Sequence, residues 1–245
     1  MYLLKRSIRA EWQKLKGSTI LISLIILPVL SILMGTGNFY MNQEVLEKEW
    51  ISLWTQVIIF YGYFFFPSLI AVCCAYICRL EHLNGNWNAV MTIPRPESHI
   101  FLSKLIVVSI LALFVQLFTV GLYIVSGTML QFQSSVPYML VGWVLRGWFG
   151  AIVIAAGQLC LSMQIRSFAL PIGICMGLSV AGLMALLKGY GLYFPYAFIS
   201  FGMGAVSQKG LGIYDNVIFA AMGLLFLFVF YKYGIWHLKK SDVTT

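Results

Sequence analysis

Arg146 is the first residue of this sequence whose chemistry stands out. It lies eight residues past Tyr138, inside an apolar run that extends to Met163, about 12 Å along a helix from the start of that run. A cation at such a depth is costly unless it is paired, reaches a headgroup layer or faces a polar cavity. No carboxylate shares its run, and Gln158, twelve residues on, is too distant to meet it. Contact with headgroups, a place on a substrate path and pairing across a subunit interface are all open, as is a purely structural role.

The second chemically dense stretch is RLEHLNGNWNAVMTIPRPESHIFLSKL, Arg79 to Leu105, between two long apolar runs. Gly85 can break a helix arriving from the preceding run, and Asn84 or Asn86 can cap a new short one through Trp87, Ala89 and Val90. Pro94 and Pro96 then end it and force an extended corner. Ser98 can open the next helix, with Lys104 anchoring its end. The product is a short helix fixed at both ends, the shape needed if another protein is to push on the chain. A long polar loop is the plainer alternative.

Catalytic signatures are missing. The sequence has no GxxxxGK[ST] loop, no HExxH, no GxSxG and no paired acids in its apolar runs. We therefore expect no catalytic residue, no metal site and no cofactor in this chain. The five cysteines, Cys73, Cys74, Cys78, Cys160 and Cys175, all lie in apolar runs, without further ligands at metal spacing. They read as small buried hydrophobes.

The elements that must carry these residues follow from composition. The chain is 60% hydrophobic and 10% charged, against roughly 25% charged in soluble proteins, and its mean hydropathy is +0.88. The expected fold is an all-α membrane domain, one unit over residues 1–245. Six runs are long enough to span a bilayer: Ser18–Phe39, Thr55–Cys78, Leu105–Leu130, Tyr138–Met163, Phe168–Leu187 and Tyr214–Gly234. With this threading, twelve Lys and Arg fall on the side of the termini, Lys48, Lys188 and Lys209 on the other, and Arg146 in a span. The positive-inside rule then puts both termini in the cytoplasm. The net charge of +8 is thus read as a topology signal, and no nucleic-acid partner is expected.

Further features flank the spans. In residues 1–17, Leu4, Ile8, Trp12 and Leu15 form an apolar stripe among cations, expected to lie along the inner leaflet as an amphipathic interface helix. Asn42–Trp50, with Glu44, Glu47 and Glu49, reads as a solvated external loop. Phe64 and Phe65, in the aromatic row FYGYFFF, suit packing or an apolar ligand. Gly173, Gly177, Ala181 and Ala185, at steps of four, permit close helix approach within or between chains. Residues 188–213 are Gly-rich, aromatic and too apolar for a free loop. They are expected to form short helices at, or dipping into, the outer leaflet.

Six spans with this threading and EHLNGNWNAVMTIPRPESHIFLSKL after the second span resemble the ABC-2 type permeases. The pattern of Glu81, Gly85, Asn86, Trp87, Pro94 and Lys104 is similar to that of the permease subunits of lantibiotic immunity transporters. That resemblance implies a bacterial cytoplasmic-membrane exporter of antimicrobial peptides, with a second permease chain, the same or paralogous, and a dimer of separate ABC ATP-binding subunits that hold ATP and Mg. It implies that the segment 79–104 is the coupling element, with Glu81, Asn84, Gly85, Asn86, Trp87, Val90 and Pro94 at the ATPase interface. Arg146, Phe64, Phe65, Gly173 and Gly177 are candidates for the substrate path or the subunit interface. Export of another amphipathic drug or lipid-like substrate, and a membrane scaffold or sensor that transports nothing, stay open as alternatives.

Overall fold

The apolar runs are helices, and most are longer than hydropathy alone indicates. The computed structural model describes residues 2–46, 49–83, 87, 96–205 and 210–240. The chain opens with α1 (Tyr2–Leu15) and continues through α2 (Ile20–Met41), α3 (Glu49–His82), α4 (Glu97–Met129), α5 (Met139–Gln164) and α6 (Ala169–Leu187). Two 3-10 turns, Gly191–Tyr193 and Pro195–Ala197, lead into the short α7 (Phe198–Gly202), and α8 (Ile213–Lys240) follows. Six of these helices, α2 to α6 and α8, are long and apolar enough to cross a membrane. The end of the bundle that holds α1 and the bases of α3 and α4 is the termini end, and the opposite one the far end.

Helix α3 starts six residues before Thr55, and α4 eight before Leu105. Hydropathy stops at the first cluster of charges, whereas helical hydrogen bonding stops only where the backbone does, as at the extended Pro96 before α4. Asn42–Trp50 is accordingly not all loop. Glu49 opens α3, and its carboxylate accepts the backbone N–H groups of Gln133 at 3.2 Å and Ser134 at 2.9 Å as well as the Ser134 hydroxyl. The Trp50 indole donates to the Ser134 carbonyl at 2.8 Å. These bonds fasten α3 to the α4–α5 connection at the far end of the bundle.

Midway along α3 the helix widens into a π turn, Tyr61–Phe65. Pro67 supplies the reason. It has no N–H to give Tyr63, and its ring would press on that carbonyl. The wider turn relieves both problems, and the Phe66 N–H reaches back to the Tyr61 carbonyl. Tyr61, Tyr63 and Phe66 point into the bundle, Phe65 is half-buried and Phe64 is exposed.

Helix α3 is the most buried of the six spans and α8 the least. α3 packs on α2, α4, α5 and α6, and α5 on α3, α4 and α8. Trp54 of α3 and Trp143 of α5 stack nearly parallel at 5.7 Å between them. All five cysteines are buried free thiols.

Part of the segment before α8 is buried in the bundle. Tyr196 to Ser200, Gly202 and Met203 are buried, wedged between α5 and α6. Two glycines make room for it. A Cβ at Gly150 would stand 2.8 Å from the Ile199 nitrogen, and one at Gly182 would stand 3.0 Å from the Ala197 nitrogen. The Trp54 indole donates to the Met203 carbonyl at 2.9 Å, and the Gln158 amide donates to the Tyr196 hydroxyl at 2.9 Å.

Candidate functional site

At the termini end, four charged side chains from three helices meet, three of them buried and Lys14 partly exposed. Lys104, two turns into α4, is fully buried. Its ammonium donates to Glu81 Oε1 at 2.6 Å and to Glu11 Oε1 at 3.1 Å. Lys14 reaches the same two acids, Glu81 Oε1 at 2.7 Å and Glu11 Oε2 at 2.9 Å. Glu81 ends α3, and Glu11 and Lys14 belong to α1, so the quartet bolts α1 to the bases of α3 and α4. Two acids and two bases leave the cluster formally neutral, the condition under which buried charges are tolerated. Among the described residues Glu81 Oε2 has no hydrogen-bond partner.

Trp87 covers this cluster. Its ring lies 5.7 Å from the Lys104 ammonium, within cation–π range. Its indole N–H donates to His82 Nδ1 at 3.1 Å. That nitrogen must then be bare, so the His82 proton sits on Nε2 and is donated to the Ser162 carbonyl of α5 at 2.9 Å. Trp87 is thereby tied to α3 and α5 through His82 and to α4 through Lys104. Of the other residues expected in the coupling segment, Glu81 is in the quartet. Asn84, Gly85, Asn86, Val90 and Pro94 lie outside the described residues.

Lys104 does not anchor the end of a span at the membrane surface; α4 begins at Glu97, which carries Lys104 into the protein. Helix α1 turns part of its apolar stripe toward the protein, while Trp12 of the same stripe is exposed. Leu15 is buried and Leu4 and Ile8 half-buried, while Ser7 and Glu11 on the same side are buried with them. The helix packs on α4, and its exposed side carries Lys5, Arg6, Arg9, Trp12 and Lys16. Glu11, Lys14 and His82 had not been singled out. Glu11 did carry a signal, as the one acid in the first sixteen residues, placed beside the apolar stripe.

The remaining candidates stand apart from this cluster. Arg146 is half-buried near the far end, where its Nε–H donates to the Gly202 carbonyl at 2.9 Å and Nη1 to Asn216 Oδ1 at 3.3 Å. Gly173 and Gly177 are exposed on α6, and a Cβ at either would meet nothing within 4 Å. They therefore do not serve packing within this chain. Phe64 shares that outward exposure on α3. One buried polar pair was not foreseen: the Tyr61 hydroxyl donates to Gln116 at 3.0 Å in the core.

Neither a curated protein nor a solved structure matches the chain. A family model described as an ABC-2 family transporter protein matches residues 7–182. That stretch holds the quartet, Trp87, His82 and Arg146 and leaves out the inserted segment and α8. It spans well over half of the sequence, and the chain belongs to the ABC-2 family of transporter membrane proteins.

Proposed function

We propose that this chain is a permease subunit of an ATP-driven exporter in a bacterial cytoplasmic membrane, with its termini inside, and that it expels a lantibiotic or a similar antimicrobial peptide. ATP and Mg are bound on a separate dimer of ABC subunits, and a second permease chain, the same or paralogous, completes the pair. The observation that carries this reading is the position of Trp87, seated on the Lys104–Glu81–Glu11–Lys14 quartet and hydrogen-bonded to His82.

A push on the coupling segment arrives at Trp87. Because Trp87 rests on Lys104 and holds His82, the bases of α3 and α4 receive the push together, and the His82–Ser162 bond passes it to α5. The quartet makes α1 travel with them. The buried charges resist separation, so these helices shift as a body, the mode of motion that tightly packed interfaces favour. The peptide substrate rests on the pattern around Glu81, Trp87 and Lys104. Such cargo enters from the lipid.

The test is reconstitution of the chain with its ATPase and permease partners in proteoliposomes carrying a fluorescent lantibiotic. ATP-dependent loss of the peptide from the membrane supports the reading. ATP hydrolysis that is indifferent to the peptide, with no change in its partitioning, contradicts the substrate assignment.

A further inference from the structure

We propose that Arg146 forms a binding site for the phosphate of a phospholipid in the leaflet at the far end of the bundle. The site lies away from the coupling cluster and does not depend on what is exported.

The side chain makes only neutral contacts. Its partners are the Gly202 carbonyl and the Asn216 amide oxygen, and no carboxylate of the described residues lies within 4 Å of it. Asp215, next to Asn216, makes no ion pair with it. A guanidinium has five N–H donors. Nε and one Nη1 hydrogen are used, which leaves three donors and the whole positive charge unanswered. In a helix the side chain leans toward the N-terminus, which for α5 is the far end. Gly142, one turn earlier, leaves the space this requires, since a Cβ there would stand 3.1 Å from Nη1 and 3.4 Å from Nη2. The guanidinium thus lies along the helix, about 10 Å or less from its start, aimed at the headgroup layer.

The surroundings identify the tail as well as the head. Val141 and Leu145, within five residues of Arg146 on α5, and Val217, next to Asn216 on α8, are exposed apolar side chains, and Tyr138 and Tyr214 stand exposed at the ends of the same two helices. Tyrosines at such positions mark a membrane interface. An anion that meets three N–H donors at the interface of such an apolar helix bundle is the phosphate of a phospholipid. Planar guanidinium and phosphate fit two bonds at a time.

The test uses the purified chain in detergent, with phosphatidylglycerol as the probe and a diacylglycerol of the same acyl chains as its phosphate-free counterpart. Retention is read by native mass spectrometry and stabilisation by thermal melting. The expected result is retention of phosphatidylglycerol and a raised melting temperature for the wild type, with no effect of diacylglycerol. Arg146→Gln should weaken apparent affinity by about tenfold or more. That variant also loses bonds to Gly202 and Asn216 and can fail to fold, so Gly142→Asp provides a second arm. It sets a carboxylate of the chain against the terminal nitrogens, retains the arginine while its guanidinium shifts to make room, and should cost similar affinity. Equal binding by the wild type and Gly142→Asp, or equal binding of diacylglycerol, overturns the site. Inorganic phosphate binding as tightly as the lipid overturns the lipid assignment. Efficient disulfide formation between Leu145→Cys chains in membranes also overturns it, since this face would then be covered by a second subunit.

Discussion

Lys104 and Glu81 meet at 2.6 Å inside the protein, the lysine with no exposed surface and the glutamate with 2%. Removing one partner of a buried pair strands the other. Lys104→Met should therefore destabilise the folded chain by about 3–5 kcal/mol, read as a lower melting temperature in detergent. Adding Glu81→Gln removes the stranded charge and should restore part of the loss. A double variant no better than the single one would mean that the two residues are not coupled.

Trp87 has two attachments that can be separated. Trp87→Phe keeps a ring over Lys104 and loses the bond to His82; Trp87→Ala loses both. In the assembled transporter we expect ATP hydrolysis to persist in both variants. Export should be reduced several-fold in Trp87→Phe and abolished in Trp87→Ala. Equal export by wild type and Trp87→Ala, at equal protein level, would remove Trp87 from the coupling path.

The inserted segment depends on the absence of side chains at Gly150 and Gly182. Gly150→Val places carbon against the backbone of Phe198 and Ile199, which is overpacking with a cost of about 1–3 kcal/mol. The displaced segment should become cleavable by a protease added from the far side. Gly150→Val with unchanged melting and no new cleavage would mean that the segment is not wedged there.

Gly173 and Gly177 give the opposite expectation. With nothing within 4 Å of a Cβ at either position, Gly177→Ala should leave the isolated chain as stable or slightly more stable, because alanine favours helix by about 0.8–1 kcal/mol. Gly177→Trp should leave its melting unchanged yet disrupt a pair of permease chains held through this face. Crosslinking yield between chains in membranes measures this. An unchanged yield would place the pairing elsewhere.

Much of the fold was legible because a bilayer requires long apolar helices, and runs such as Tyr138–Met163 announce α5 to within a residue. The helix ends were not, because Glu49 and Glu97 sit where charges ordinarily meet water, yet both are helical. Composition showed residues 188–213 to be too apolar for a loop, but the insertion of residues 196–199 depends on Gly150 and Gly182 in other helices. Trp87 was legible from its odd setting among asparagines and prolines. The quartet was not, since Glu11 and Lys104 are 93 residues apart and each resembles an ordinary interfacial charge. Only the packing of α1 on α4 reveals that they face one another.

A permease of this kind needs a partner that supplies ATP hydrolysis. The decisive measurement is purification of this chain from its native membranes in a gentle detergent, with and without crosslinking, followed by mass spectrometry of what accompanies it. We predict a P-loop ATPase in stoichiometric amount, with crosslinks to the segment that holds Trp87. Recovery of the chain without any ATPase, after crosslinking as well, would contradict the account.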